Sequence, residues 1–504
     1  VKITVKEKAR TPRRPHHKPA RDGITGVTRV VALLLPVMEH DSSTRIVQDL
    51  TVLISTSDPG ARLPSTRALV ARYGASPVTV QKALRELTRR GLIESRPGTG
   101  TFVRITRTAR PADYGWQTAA LRTPMAAAID VSATMRTVSN DHIALHAGYP
   151  DRELLPERLV RSALTRAARS DAAFARPPVS GLPELQAWFA SELADATPSG
   201  LTPPAASDVT VLPGSQSGLS SVFRALVGPR QPVLLESPTY WGAISAAAQA
   251  GADVVPVPSG RQGPDPRDVA RAFDETGARA FYAQPNFANP TGAQWSREAA
   301  GEILEIVRAR SAFLIEDDWA HDFGIDTDAT PLAAQDAHGH VVYLRSLTKS
   351  VSPSIRVAGI IARGPARERI RNDRAAESMY VSGVLQRAAL DVVTQPGWGT
   401  HLRHLRHSLR ARRDLLVSSL REHASDAHVD GIPRGGLNLW VRLPDGVDLR
   451  RLVRDCEADG LIIASGDEWY PAEPEGPRIR LNYSGPNPAA FADAARILGA
   501  RLSE

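Results

Sequence analysis

From about residue 141 onward the sequence repeats one unit: a short apolar run, a loop, and an amphipathic stretch. Apolar runs stand at Asp208–Leu212, Pro232–Glu236, Ala252–Val257, Ala280–Ala283, Ala312–Glu316 and Val341–Leu344. Helical periodicity lies between several of them, at 215–227, 265–276 and 297–310. Strands joined by helix-length crossovers run parallel, and a parallel sheet is covered by helices on both faces. The expected class is therefore α/β, a mostly parallel sheet with helices on both faces. Ligands of such sheets bind at the loops beyond the carboxyl ends of the strands, so chemistry is to be sought there. Residues 365–504 read as a smaller α/β unit, with strands near Leu437–Leu443 and Arg478–Tyr483.

The first fifth of the chain differs. Residues 1–110 hold 21 Lys/Arg against 8 Asp/Glu, whereas the remainder holds 41 against 46. A basic segment on an acidic remainder points to a module for a polyanion. Residues 1–25, with the cluster Arg13-Arg14-Pro15-His16-His17-Lys18, have little to bury and read as a basic disordered tail, solvated or laid on a DNA backbone. Residues 26–105 read as a small helical domain, opened by the strand-like run Val30–Val37, and 106–140 as a linker without sustained period. A length of 504 residues calls for more than one such unit. The single cysteine, Cys456, excludes a disulfide framework and fits a reducing cytoplasm. No apolar run reaches membrane-spanning length, and the charged residues 1–21 hold no signal-peptide core, so a cytoplasmic protein away from membranes is expected.

Three segments of the basic module carry its signal. Leu63-Pro64-Ser65-Thr66-Arg67 starts a helix with Ser65 as its cap. In Gly74-Ala75-Ser76-Pro77-Val78-Thr79-Val80-Gln81-Lys82-Ala83-Leu84, Gly74 supplies the turn, Ser76 caps the next helix and Pro77 takes its first position. Val80 and Leu84 would pack inward while Thr79, Gln81 and Lys82 project outward, as a recognition helix requires. Gly91 to Val103, through Arg96-Pro97-Gly98-Thr99-Gly100, reads as a two-stranded wing. These residues resemble the winged helix-turn-helix of the GntR family of bacterial transcription regulators. The resemblance implies that Ser65, Arg67, Ser76, Thr79, Gln81, Lys82, Arg96, Gly98, Thr99 and Gly100 touch double-stranded DNA at an operator. Many members of that family have a basic residue where Pro77 stands, so one phosphate contact is expected to be missing.

Five segments of the α/β region fall in order at loops. Ser346-Leu347-Thr348-Lys349 ends a strand, and Arg356 follows. Lysine seldom ends an apolar strand for packing alone, although a surface lysine would look the same. Gly214-Ser215-Gln216 joins a strand to a helix whose first amides can hold an anion. Asp317 ends an apolar run, where a buried carboxylate needs a cation; Asp318 is the alternative carboxylate, and without that role it reads as a surface turn residue. Asn289-Pro290-Thr291-Gly292 is a turn sequence with an amide donor, and Tyr240, after Glu236-Ser237-Pro238-Thr239, begins a helix with a flat ring. Together they supply what pyridoxal phosphate (PLP) needs: an imine lysine, a phosphate cup, a carboxylate for the pyridine nitrogen, a donor for the phenolic oxygen and a ring stack.

This set resembles the class I/II aminotransferases of PLP-dependent transferase fold type I, over 141–504, with 365–504 as the small subdomain. Joined to the winged helix-turn-helix, the chain resembles the MocR subfamily of GntR regulators. The resemblance implies Lys349 as the imine lysine, with Ser215, Gln216, Ser346 and Arg356 around the phosphate. It further implies Asp317 at the pyridine nitrogen, Asn289 at the phenolic oxygen and Tyr240 on the ring. Arg480 would grip an effector carboxylate, with Arg478 as its rival. A regulator is implied that senses PLP, or an amine or amino acid, through the Lys349 imine, as a homodimer; an aminotransferase with an accessory DNA-binding domain is the alternative. No metal is implied. Two departures bear on turnover. Trp319 replaces the tyrosine usual two residues after the aspartate, and Arg176 replaces one that reaches phosphate from a partner subunit. An indole donates a hydrogen bond but neither accepts one nor deprotonates.

Overall fold

The computed structural model describes residues 42–104 and 142–504, apart from 56 and 486, with a few more between 116 and 138. The tail at 1–25, the run Val30–Val37 and most of 106–140 lie outside the described residues. The chain divides into two compact units, the second beginning at residue 123.

The first unit packs helices Ser42–Ser55, Thr66–Tyr73 and Pro77–Arg89 against a hairpin of β1 (Ile93–Arg96) and β2 (Gly100–Val103). Local chemistry sets its corners. Ser65 Oγ accepts from the Ala68 amide at 3.2 Å, and Ser76 Oγ from the Thr79 amide at 3.2 Å. Between them Gly74 ends the second helix at φ 58, a left-handed position that glycine takes without strain. Ile46, Leu50, Leu69, Val80, Ala83 and Leu87 form the core. Gln81 and Lys82 are exposed. Thr79 departs from expectation: it is half-buried, because its hydroxyl turns back to share a 2.9 Å hydrogen bond with Ser76. Leu84 is likewise half-buried at the edge of the core.

In the second unit β3 (Ile143–Ala144) pairs outside the main sheet. That sheet is built from β4 (Val209–Leu212), β5 (Pro232–Ser237), β6 (Asp253–Gly260), β7 (Gly263–Pro264), β8 (Ala280–Ala283), β9 (Phe313–Asp318), β10 (Val341–Ser346) and β11 (Ala358–Ile361). Its order is β4-β11-β10-β9-β8-β5-β6-β7. The run β10-β9-β8-β5-β6 is parallel, and β11 is antiparallel to both its neighbours. The α/β class with a mostly parallel sheet is thus the observed one, with β11 as an antiparallel insertion. Alternation along the strands separates two cores. Leu314 and Tyr343 face a cluster with helices Pro183–Asp195 and Arg297–Ala309, while Ile315 and Leu344 face one with helices Ser215–Val222 and Trp241–Gln249. A smaller antiparallel sheet holds β12 (His428–Val429), β13 (Asn438–Arg442), β15 (Ala464–Ser465) and β16 (Arg478–Asn482); β14 (Leu461–Ile462) pairs with β3.

Candidate functional site

Strands of one direction deliver their carboxyl ends to one edge, and the expected residues gather there. One cavity is lined by Ser215, Gln216, Tyr240, Asn289, Asp317, Ser346, Lys349 and Arg356, together with Tyr149, Gln284, Trp319 and Thr348. Ser215 and Gln216 open the helix after β4, Tyr240 caps the one after β5, and Asn289 lies beyond β8. Gly214, at φ 91, lets Arg356 come close: a Cβ there would sit 3.1 Å from Arg356 Nη2. The arginine is thereby held beside the first amides of helix Ser215–Val222, which attract anions.

The pleat decides between the two aspartates. Asp317 shares the Ile315 face and reaches the cavity, where Tyr282 Oη donates to its Oδ2 at 2.9 Å and Gln284 Nε2 at 2.8 Å. Asp318 is no surface turn residue. It is buried on the other face, accepting from Tyr343 Oη and His321 Nδ1, each at 2.6 Å. Burial pushes Asp317 up to about 6, against the bonds from Gln284 and Tyr282 and the charge of Lys349.

Lys349 keeps some surface open to the cavity while protein atoms crowd its amine. Its Nζ stands 4.0 Å from the Trp319 ring centroid and 5.8 Å from that of Tyr149. Burial, then the charge of Arg480, bring it down to about 7, with Asp317 pulling the other way. Arg480 is buried beside the cavity. Its Nη1 donates to Asn289 Oδ1 at 3.1 Å and its Nη2 to the His146 carbonyl at 2.6 Å, with Trp469 under the guanidinium at 4.7 Å. That bond leaves the Asn289 amide nitrogen as the end of the side chain not taken by Arg480. Arg478 instead pairs with Asp430. Arg176 is exposed and is not part of the lining.

The lining also shows what it lacks. Among the described residues Ser215 Oγ, Gln216 Oε1, Asp317 Oδ1, Trp319 Nε1 and Thr348 Oγ1 are buried without a hydrogen-bond partner. Buried polar atoms are nearly always paired, so five on one cavity mark room for a polar ligand. An anion suits the end with Ser215 and Arg356, and a cationic N–H suits Asp317, so the residues fit PLP. Gln284, Tyr282, Thr348 and Tyr149 were not foreseen. Gln284 directly follows β8, so the carboxyl-end rule names its position but not its role as brace: it donates to Asp317 and accepts from the Asn289 amide at 2.8 Å.

In the first unit Ser65, Arg67, Ser76, Gln81, Lys82, Arg96, Gly98 and Thr99 are exposed, and Gly100 is half-buried. Arg96 pairs with Glu94 and lies over Phe102 at 4.8 Å. No helix among the described residues is long and apolar enough to cross a membrane.

Residues 141–490 match the model of the family "Aminotransferase class I and II", and 42–103 that of "Bacterial regulatory proteins, gntR family". An uncharacterized HTH-type transcriptional regulator of Bacillus subtilis, YdfD, is 26% identical over 84% of this chain and 88% of its own. The probable rhizopine catabolism regulatory protein MocR of Rhizobium meliloti is 26% identical over 87% and 88%. The crystal structure of LysN, an α-aminoadipate aminotransferase of Thermus thermophilus complexed with N-(5'-phosphopyridoxyl)-L-leucine, is similar at a TM-score of 0.69 and 25% identity, over 77% of this chain and 98% of that one. The chain belongs to the class I and II aminotransferase family, with a GntR-type helix-turn-helix region ahead of that domain, the architecture shared by regulators named like MocR.

Proposed function

We propose that this protein is a transcription regulator of the bacterial cytoplasm whose aminotransferase-like domain, 141–504, holds PLP and senses it, or an amine or amino acid, through Lys349. The observation that carries the reading is the convergence of Lys349, Asp317, Asn289, Tyr240, Ser215, Gln216, Ser346 and Arg356 on one cavity with unpartnered polar atoms. Asp317 would hold the pyridine nitrogen, and Asn289 the phenolic oxygen. Ser215, Gln216, Ser346 and Arg356 would hold the phosphate, and Tyr240 the ring. PLP supplies an electrophilic carbonyl conjugated to an electron-withdrawing ring. Lys349 contributes an amine whose proton comes off near neutrality, which a nucleophile requires. Gln284 and Tyr282 fix one carboxylate oxygen of Asp317 and leave the other for the ligand. Arg480, immobilised by Asn289, His146 and Trp469, would receive an effector carboxylate.

The winged helix-turn-helix domain, 26–105, would take an operator through Ser65, Arg67, Ser76, Thr79, Gln81, Lys82 and the Arg96–Gly100 wing, with 106–140 as linker and a second copy of the chain completing a homodimer. An effector switches DNA binding only if it interacts differently with two arrangements of the protein. Lys349→Ala tests the reading. In a reporter assay the variant is expected to lose its effector response entirely, and an unchanged response contradicts the proposal.

A working aminotransferase is the second reading, favoured by the likeness to LysN over nearly all of that enzyme's length. Repeated cycling between amino donor and keto acid would support it; Trp319 in place of a phenol speaks for slow cycling.

A further inference from the structure

The pleat that turns Asp317 and Ser346 toward the cavity turns Asp318, Tyr343 and Arg345 to the opposite face of the sheet. A charged network lies there. Arg345, on the central strand β10, is 3% exposed at its side chain, and Asp322 is 5% exposed. Arg345 Nη2 donates to Asp322 Oδ1 at 2.7 Å, and Nη1 donates to the Ser346 carbonyl at 2.8 Å. Asp318, the register partner of Arg345 on β9, accepts from Tyr343 and His321. Burial alone would raise both carboxyls, yet the charges of His321 and Arg345 hold Asp318 and Asp322 below the ordinary aspartate value.

Two members of this network adjoin residues of the cavity in the chain, and a third lies close to one. Asp318 follows Asp317, Arg345 precedes Ser346, and Asp322 lies three residues after Trp319 on the turn His321–Phe323. We infer that Arg345 is a positioning residue: its fork spans from the Ser346 carbonyl to Asp322 and so sets the distance between the Ser346 wall and the turn that carries Trp319 across Lys349. The functional consequence rests on the PLP reading above.

Stability alone is a poor explanation for such a pair. Two buried charges lose their hydration, and apolar residues of the same volume would serve the core as well or better. What apolar residues lack is direction. A guanidinium binds two partners at fixed angles, which one ammonium cannot reproduce.

The full-length chain tests this in two arms. Arg345→Lys keeps the charge and loses the fork. The double variant Arg345→Met/Asp322→Leu removes both charges, so no lone buried ion unfolds it. Both are expected to melt close to wild type, to bind PLP on the order of tenfold more weakly, as loss of an orienting outer partner typically does, and to shift the visible absorbance of bound PLP. In the second arm, without PLP, amide hydrogen exchange is expected to quicken over 316–323 and 344–350 in both variants. Wild-type affinity, absorbance and exchange in the double variant overturn the inference. A wild-type chain that takes up no PLP would refute the cofactor reading instead. The exchange arm then decides alone: faster exchange supports the clamp and unchanged exchange overturns it.

Discussion

The cations of the first unit and the lysine of the second are placed in opposite ways. Arg67, Lys82 and Arg96 stand in water on a capped helix pair and a hairpin, where a charge costs little to keep and acts over a Debye length. Lys349 is crowded at its amine, faces an indole and a nearby arginine, and is brought down to about 7. A polyanion is held by charge that stays on; condensation with a carbonyl needs an amine whose proton comes off. The sequence makes the same distinction, since beyond Lys82 the chain has no lysine except Lys349 and uses arginine for every other fixed cation. Arginine cannot lose its proton in a protein, so the exception falls where an amine is required.

The contrast can be broken at several points. The largest effect concerns the proton on Lys349. Reductive methylation of that amine in the apoprotein is expected to have its midpoint near pH 7, against 10.5 for the urea-unfolded chain. At neutral pH the two amines then differ roughly a thousandfold in free base. A midpoint that stays with the unfolded value would remove the distinction. Between the two values the unfolded chain holds a proton that the folded one has released, so the lysine's burial cost is greatest below about pH 7 and fades as pH rises toward 10.5. Lys349→Met is therefore expected to stabilise the apoprotein most at low pH.

Next comes the surface charge. Arg67→Ala/Lys82→Ala is expected to weaken binding to a DNA duplex on the order of tenfold and to lower the salt slope by about 2. Lys349→Ala should leave that slope alone; titration at several salt concentrations reads both. The smallest effect is local. Ser76→Ala removes the acceptor of the Thr79 amide and is expected to cost the first unit about 1 kcal/mol. Urea unfolding followed by hydrogen exchange over 66–89 measures it, and the cavity should not respond.

Where the signal was local, the residues announced their structure. Caps at Ser65 and Ser76, the Gly74 turn and the parallel strands each follow from a few neighbours. The cavity residues were legible because loops at one edge of a parallel sheet are brought together by topology, whatever the intervening sequence. Three features were not legible. Strand β11, Ala358–Ile361, stands outside the repeat of strand and helical crossover and is defined by the two strands it meets antiparallel. The roles of Gln284 and Tyr282 depend on Asp317, 33 and 35 residues away, and nothing in their own surroundings points there. Asp317 and Asp318 read alike until the pleat assigns each a face. The half-burial of Thr79 was not legible for a related reason: its hydroxyl shares a hydrogen bond with the cap, Ser76.

The central claim is that Lys349 holds PLP. Incubation of the full-length chain with PLP, reduction with borohydride and peptide mapping tests it directly. A stable pyridoxyl adduct is expected on the peptide that contains Lys349, and none after Lys349→Ala. An adduct confined to Lys82 and the four lysines of the first eighteen residues, or no adduct at all, would contradict it.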